Sequence, residues 1–190
     1  MACHEPCTPR SPTSLLSRRT VVGALASAAA LSAVPRAAAE TEVGRNQSAD
    51  DERFMRLALV EARQADFPFG AVIVRDGQVI ATGRNLGRTT GDPTAHGEMV
   101  AIRHCLADHG RAALSGSTLY TSGEPCAMCM GAILWCRFGR LVFAASVQQL
   151  ATKIDQIMLS SADVAAKAPF VPIAITGGVL ADEAMALFAK

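Results

Sequence analysis

The sequence has 190 residues, 50% of them hydrophobic, which suffices for the core of one globular domain but not comfortably for two. Its formal net charge is +1. If residues 1–39 are removed as a leader, 14 basic and 16 acidic residues remain and the charge becomes −2. Proteins that bind nucleic acid usually carry a basic surplus that neutralises phosphates, so this balance disfavours a nucleic-acid partner.

Residues 1–39 have the composition of a targeting segment, rich in Ala, Ser, Pro and Arg with a single acid. Paired arginines, Arg18 and Arg19, precede an apolar run over residues 21–34, and small residues then offer a cleavage site before Glu40. This arrangement resembles a bacterial twin-arginine export signal, which predicts a periplasmic or secreted protein. The apolar run is too short for a bilayer, so no membrane span is expected. A transit peptide for an organelle has a similar composition and is the alternative.

The remaining part, residues 40–190, alternates helical and strand patterns. Helices are predicted over residues 50–64, 95–108 and 180–188, and a further helix opens near Pro125. Strands are predicted over residues 71–74, 79–82, 117–121, 140–144 and 171–176. The first two strands are joined by a turn at Asp76-Gly77, and the proline in the last one favours a sheet edge. Residues 146–168 show no clear pattern.

Two short motifs carry the chemistry, namely His96-Gly97-Glu98 and, further along the chain, Pro125-Cys126-Ala127-Met128-Cys129. A His-x-Glu segment followed by Pro-Cys-x-x-Cys is the signature of zinc-dependent nucleobase deaminases. A catalytic zinc takes three protein ligands from nitrogen and sulfur and keeps its fourth position for water. We therefore predict that His96, Cys126 and Cys129 bind Zn²⁺ and that Glu98 carries protons.

The two motif cysteines, Cys126 and Cys129, also fit a disulfide or a thiol redox pair, which an oxidising compartment favours. That alternative leaves the His-x-Glu motif without a role. The other cysteines of the mature part, Cys105 and Cys136, lie in apolar helical patterns. We expect them to be small core residues.

The stretch from Phe69 to Ala144 resembles the cytidine and deoxycytidylate deaminase superfamily, in the branch that contains guanine deaminase, tRNA adenosine deaminase and cytosine deaminase. The matching segments are Phe69–Val74, Asp92–His96 and Leu119–Cys126. The resemblance implies an α/β fold, a three-layer α/β/α sandwich with a five-stranded mixed sheet, assembled as a homodimer with one zinc per subunit. It also implies hydrolytic deamination of a base, in which Glu98 moves protons to the ring nitrogen and the leaving amine.

Three further features bear on the substrate. Asn85 lies in a glycine-flanked loop, where asparagine commonly serves a turn, and the resemblance implies that its amide contacts the base. Trp135 resembles the aromatic residue that lines the purine pocket of guanine deaminase, whereas residues 175–183 resemble the tail of tRNA adenosine deaminase. We expect a free nucleobase, a nucleoside or a related heterocycle as the substrate, with guanine first. A tRNA-specific adenosine deaminase is the alternative, and a non-enzymatic structural zinc or redox protein is the third hypothesis.

Overall fold

The structure is a computed structural model that describes residues 36–189, with side chains from residue 49 onward. The paired arginines and the apolar run of the predicted leader lie outside the described residues, and export stays a prediction. The first helix extends across the predicted boundary at residue 40. No helix within residues 36–189 is long and apolar enough to cross a membrane.

The described residues form seven α-helices and five strands. In chain order they are α1 (Arg36–Arg63), β1 (Gly70–Arg75), β2 (Gln78–Arg84), α2 (Gly87–Thr90), α3 (Gly97–His109), β3 (Thr118–Gly123), α4 (Ala127–Trp135), β4 (Arg140–Ala145), α5 (Val147–Leu150), α6 (Ser161–Ala166), β5 (Ala174–Thr176) and α7 (Ala181–Ala186). The five predicted strands and four predicted helices are all present with shifted bounds. The short helices α2, α5 and α6 were not predicted, because four to six residues are too few to show a helical period.

The strands form one mixed sheet in the order β2-β1-β3-β4-β5. Strand β1 runs antiparallel to β2 and to β3, whereas β3, β4 and β5 run parallel. The β1–β2 turn has positive φ at both Asp76 and Gly77, which is the turn geometry that an Asp-Gly pair favours in a hairpin. Strand β5 lies at the sheet edge, as predicted.

The three central strands, β1, β3 and β4, alternate their side chains between two apolar layers. On β1, Ala71 and Ile73 belong to the layer that packs against α3 and α4, and Val72 and Val74 belong to the layer that packs against α1 and α7. Cys105 is fully buried in the first of these layers, as expected for a core residue. Helices on both faces of the sheet confirm the three-layer α/β/α sandwich with a five-stranded mixed sheet.

Helix α3 approaches β2 closely because Gly83 has no side chain. A Cβ atom at Gly83 would clash with the backbone nitrogen of Ala101 and with the carbonyl oxygen of Gly97. Both of these atoms belong to α3. Glycine at this point of β2 therefore allows the N-terminal half of α3, which carries the His-x-Glu motif, to lie directly on the sheet.

A buried ion pair ties α1 to the centre of the sheet. The Arg140 guanidinium donates to both carboxylate oxygens of Asp51 at 2.7 Å, and the Tyr120 hydroxyl donates to the same carboxylate at 2.9 Å. Arg140 also donates to the Thr176 hydroxyl at 3.1 Å. One carboxylate on α1 thus connects side chains from β3 and β4, and through Arg140 also from β5.

Candidate metal centre and active site

The three predicted metal ligands meet at one point of the fold. The Nδ1 atom of His96 lies 3.7 Å from the Cys126 Sγ and 3.6 Å from the Cys129 Sγ, and the three ligand atoms lie within 4.8 Å of one another. With Zn–N bonds of about 2.0–2.1 Å and Zn–S bonds of about 2.3 Å, a tetrahedral zinc holds nitrogen and sulfur ligands about 3.6 Å apart. The three side chains therefore have the chemistry and the spacing that zinc requires.

Both motifs lie where the chain enters a helix. His96 is the N-cap residue of α3, and Cys126 is the N-cap residue of α4, with Cys129 one turn further on. The backbone of both cap residues is extended, as is typical of an N-cap. Helix N-termini carry partial positive charge from unpaired N–H groups, and this charge favours thiolates. Two such termini converge on the three ligand atoms.

Hydrogen bonding within the cluster changes the acidity of the two thiols. The hydrogen bond from the Cys129 thiol, supported by the one from His96, lowers the pKa of Cys126 to about 4. The shared proton raises the pKa of Cys129 above its ordinary value. A lowered pKa at Cys126 favours its thiolate, which is the form that coordinates a metal.

Glu98 lies on the first turn of α3 and is 4% exposed. Burial raises the pKa of its carboxyl group above the ordinary value. Together with His96 and Cys126, Glu98 lines a recess of about 50 Å³, which is large enough for a water molecule. A buried carboxyl group with a raised pKa beside a water site suits general acid–base chemistry.

A second acidic residue, Glu124, borders the same recess but has different partners. Its Oε2 atom accepts a hydrogen bond from the backbone N–H of Val147 at 2.8 Å, and its Oε1 atom accepts one from the backbone N–H of Ser161 at 2.7 Å. Both oxygens are thus occupied by main-chain donors. Glu98, whose proton-carrying role stays a prediction, borders the recess without sharing these two main-chain partners.

A larger cavity of about 320 Å³ adjoins the recess and shares His96 and Cys126 with it. Its other walls combine aromatic and aliphatic side chains with two amides and one carboxylate, namely Phe67, Phe69, Asn85, Ile154, Asp155, Gln156 and Ile157. The volume lies at the lower end of the range for small-molecule sites. The size and the lining suit a small heterocycle placed next to the predicted metal ligands.

Asn85 serves a turn and also lines the cavity, while its contact with a base stays a prediction. The residue is 5% exposed, and its Oδ1 atom accepts the N–H of Gly87 at 3.1 Å, which closes a turn. It also lines the cavity, where its backbone N–H donates to the carbonyl oxygen of Phe69. Because the turn engages Oδ1, the Nδ2 group is the part of the amide that can donate to a ligand.

The structure does not bring Trp135 to the cavity of its own chain. Trp135 is the last residue of α4, its side chain is 71% exposed, and its ring centroid lies 5.2 Å from that of Phe170. A contact between this indole and a substrate would require the cavity of a second copy of the chain. The purine-pocket role of Trp135 stays a prediction that depends on assembly.

No motif in the sequence marked Phe67, Phe69, Asp155 or Gln156 as cavity residues. The two phenylalanines interrupt the first helical pattern directly before a buried strand. Aromatic residues at such a place could have indicated a loop that lines a site. Asp155 and Gln156 lie in residues 146–168, where the sequence has no periodicity. Only the tertiary fold reveals that this segment crosses the cavity.

Two curated relatives match the chain about equally well but have different substrates in their names. A stretch of 78 residues, 41% of the chain, is 53% identical to the guanine deaminase of Bacillus subtilis (strain 168) and covers 50% of that protein. A stretch of 101 residues, 51% of the chain, is 46% identical to the tRNA-specific adenosine deaminase of Agrobacterium fabrum and covers 66% of it. The matched region thus spans between half and two thirds of these two relatives.

Two solved structures share the fold. One, from a study of tRNA deaminases that act at the wobble position, is 35% identical with a TM-score of 0.62, and the match covers 71% of this chain and 98% of that one. The other, a mutant protein in complex with 8-azaguanine, is 25% identical with a TM-score of 0.64, and the match covers 73% of this chain and 83% of that one.

A family model identifies the region that contains the site. Residues 48–145 match the model described as the cytidine and deoxycytidylate deaminase zinc-binding region. The matched residues include His96, Cys126 and Cys129, whose ligand atoms have the spacing of a zinc site. The chain therefore belongs to the cytidine and deoxycytidylate deaminase family.

Proposed function

We propose that this protein is a zinc-dependent hydrolase that releases ammonia from a free nucleobase, with guanine as the first substrate. One observation carries the proposal: a His-Cys-Cys cluster with zinc spacing, a buried glutamate and a cavity of the size of a small heterocycle all meet at one place. The similarity to the B. subtilis guanine deaminase and to a structure bound to 8-azaguanine supports guanine in particular.

The proposed reaction consumes one water molecule and exchanges an amino group for a carbonyl group. When bound by His96, Cys126 and Cys129, zinc supplies the Lewis acidity that activates water at neutral pH. As the water oxygen adds to the carbon that bears the amino group, Glu98 takes a proton from it and passes protons to the neighbouring ring nitrogen and to the departing amine. The carbon–nitrogen bond then breaks and ammonia leaves.

The polar groups of the cavity are complementary to guanine. The Nδ2 group of Asn85 is a donor for the carbonyl oxygen or a ring nitrogen of the base, and the Asp155 carboxylate is an acceptor for its N–H groups. Phe67 and Phe69 offer apolar contact to the ring system. A carboxylate in this wall also disfavours phosphate-bearing substrates, because like charges repel.

A second candidate function is deamination of an adenosine in tRNA. It is favoured by the 35% identical structure, which the match covers almost completely, and by the Agrobacterium fabrum relative. The formal charge of −2 for residues 40–190 disfavours it, since the segment lacks the basic surplus that usually accompanies RNA binding.

The experiment that tests the proposal is ammonia release by the zinc-loaded protein, residues 40–190, from a panel of substrates. The panel contains guanine, cytosine, adenine, their nucleosides and an anticodon stem-loop. We expect release from guanine and none from the stem-loop. Release from the stem-loop alone would establish the second candidate function and overturn the first.

The proposed assembly is a homodimer. Trp135 and Phe170 form an aromatic pair that is 71% and 49% exposed, and such apolar surface is commonly covered by a partner. Sedimentation equilibrium of the wild-type protein and of Trp135→Ala tests this assignment. A wild-type protein that sediments as a monomer at micromolar concentration would contradict it.

A further inference from the structure

We propose that Glu124 is a positioning residue that fixes residues 151–160 over the substrate cavity. The inference rests on the proposed function for the location of the substrate. The anchoring itself is a property of the fold. Glu124 holds the segment at both ends through main-chain hydrogen bonds, without touching the substrate.

The contacts of Glu124 define two anchor points. Its carboxylate is buried and bonds the backbone N–H groups of Val147 and Ser161, at 2.8 and 2.7 Å. Its own N–H donates to the carbonyl oxygen of Ala145 at 2.7 Å. Glu124 is therefore fixed to the end of β4, and from there it reaches across to α5 and α6.

Val147 and Ser161 are the first residues of α5 and α6, respectively. The N–H of a first helical residue has no acceptor within its helix, so a buried one needs a partner from elsewhere. The N-cap residues Ser146 and Ser160 each form a capping box with the third helical residue, which leaves these two N–H groups for Glu124. An ionised carboxylate is a strong acceptor for both at once.

The chain between the two anchors forms one wall of the cavity. Leu150 is fully buried, but beyond it the segment projects to the surface, where Ile157 and Met158 are each 61% exposed. Asp155 and Gln156, which line the cavity, lie in this projecting part. Since few of its side chains are buried, its position depends on how firmly its two ends are held.

Glu124 also connects this wall to the metal cluster. Only Pro125 separates it from Cys126, so the same backbone that presents one zinc ligand holds the carboxylate that binds α5 and α6. Two residues of one short segment, Glu124 and Cys126, thus supply the anchor of the wall and one predicted zinc ligand. Glu124 serves the wall rather than the metal cluster, because its oxygens bond the backbone of Val147 and Ser161.

Trypsin provides a direct measure of the wall, because Lys153 is the only lysine or arginine between Arg140 and Lys167. Glu124→Gln keeps the size of the side chain but presents an NH₂ group to one of the two N–H donors. We expect trypsin to cleave after Lys153 roughly tenfold faster or more in this variant, because local opening becomes easier. The KM for guanine should rise by a similar factor, with a smaller change in kcat, while zinc stays at one per subunit.

A second pair of variants removes one anchor from the opposite side. Ser161→Pro deletes the N–H that Glu124 accepts, at a first helical position where proline is favoured and after a residue, Ser160, whose extended backbone is compatible with it. Ser161→Ala is the matched control, because it keeps the N–H. We expect faster cleavage after Lys153 in Ser161→Pro than in Ser161→Ala. In the double variant with Glu124→Gln, Ser161→Pro should increase the cleavage rate by a smaller factor than it does in the wild-type protein.

Two results would overturn the inference. One is a folded Glu124→Gln variant in which trypsin cleaves after Lys153 at the wild-type rate and the KM for guanine is unchanged. If Glu124→Gln does not fold, the same result in Ser161→Pro would overturn the inference. The other is loss of zinc from Glu124→Gln with the segment still protected, which would place the role of Glu124 at the metal. If the wild-type protein deaminates no base, the proposed function fails, but the trypsin comparison still decides whether Glu124 holds the wall.

Discussion

The Nδ1 atom of His96 lies 3.6 Å from the Sγ of Cys129, although 33 positions separate the two residues in the chain. The contact arises because α3 and α4 begin at the same place, with His96 and Cys126 as their N-cap residues. One turn into α4, Cys129 completes the set of three donors. The distance equals the spacing that a tetrahedral zinc imposes on a nitrogen and a sulfur ligand, about 3.6 Å.

The metal cluster leads to a prediction on zinc content. Cys129→Ser and Cys126→Ser should each lose most of the bound zinc, because a hydroxyl is a poor replacement for a thiolate ligand. Cys136→Ser is the matched control. Cys136 lies outside the cluster, so this substitution should leave the zinc content unchanged. Metal analysis of dialysed protein measures the effect. Retention of one zinc per subunit in the Cys126 and Cys129 variants would exclude them as ligands.

The carboxylate in the cavity wall leads to a prediction on specificity. Asp155→Asn should lower kcat/KM for guanine by roughly 10- to 100-fold, the range for one hydrogen bond to a charged group. Asp182→Asn, an exposed change on α7, is the control and should leave the value unchanged. Steady-state kinetics with guanine gives kcat/KM for both variants and for the wild-type protein. Equal kcat/KM in Asp155→Asn and wild type would mean that this carboxylate does not bind the base.

The ion pair between Asp51 and Arg140 leads to a prediction on stability. Both side chains are largely buried, at 7% and 18% exposure, and Asp51→Asn would leave the guanidinium without its counter-charge. We expect the free energy of unfolding in urea to fall by about 3–5 kcal/mol. The control is Glu52→Gln, which breaks an exposed pair with Arg56 and should cost less than about 1 kcal/mol. Similar losses in both variants would contradict the structural role of Asp51.

Tyr120 leads to a prediction on alkaline pH. Burial, with the hydrogen bond to Asp51, raises the pKa of Tyr120 above its ordinary value of about 10. Since the pKa is higher in the folded state, the stabilisation is complete below about pH 10 and is lost as the pH rises toward the folded pKa. Tyr120→Phe has no titrating group, so the stability difference between wild type and variant should narrow above about pH 10.

Two measurements check this alkaline effect. Urea unfolding at several pH values gives the stability difference between wild type and Tyr120→Phe. Tyr120 is the only tyrosine of the chain, so tyrosinate absorbance reports its titration directly. A midpoint near pH 10 in the folded protein, with a stability difference independent of pH, would contradict the assignment.

Much of the fold could be predicted from the sequence because its signals are local. The turn at Asp76-Gly77 requires positive φ at both positions, and this pair adopts it readily. The proline in residues 171–176 favours an edge strand, and β5 lies at the edge. The metal cluster was predictable for a different reason. His96 is distant from Cys126 and Cys129 in the chain, but His-x-Glu followed by Pro-Cys-x-x-Cys is a known zinc signature.

The cavity wall could not be predicted, because its position depends on contacts between distant residues. Asp155 and Gln156 lie in a segment with no hydrophobic period, which runs between α5 and α6. The first residues of these helices, Val147 and Ser161, bond Glu124 from 23 and 37 positions away. Trp135 also could not be placed from the sequence. In a single chain it lies at the end of α4 with an exposed side chain, and its role at a purine pocket stays a prediction.

The most direct test of the central claim is the initial rate of ammonia release from guanine by the zinc-loaded protein and by its Glu98→Gln variant. Glutamine fills the same space but cannot take up and release the proton. We predict release by the wild-type protein and a rate lower by roughly 10²- to 10⁴-fold in the variant, with zinc content unchanged. A Glu98→Gln variant that retains zinc and releases ammonia at the wild-type rate would contradict the account.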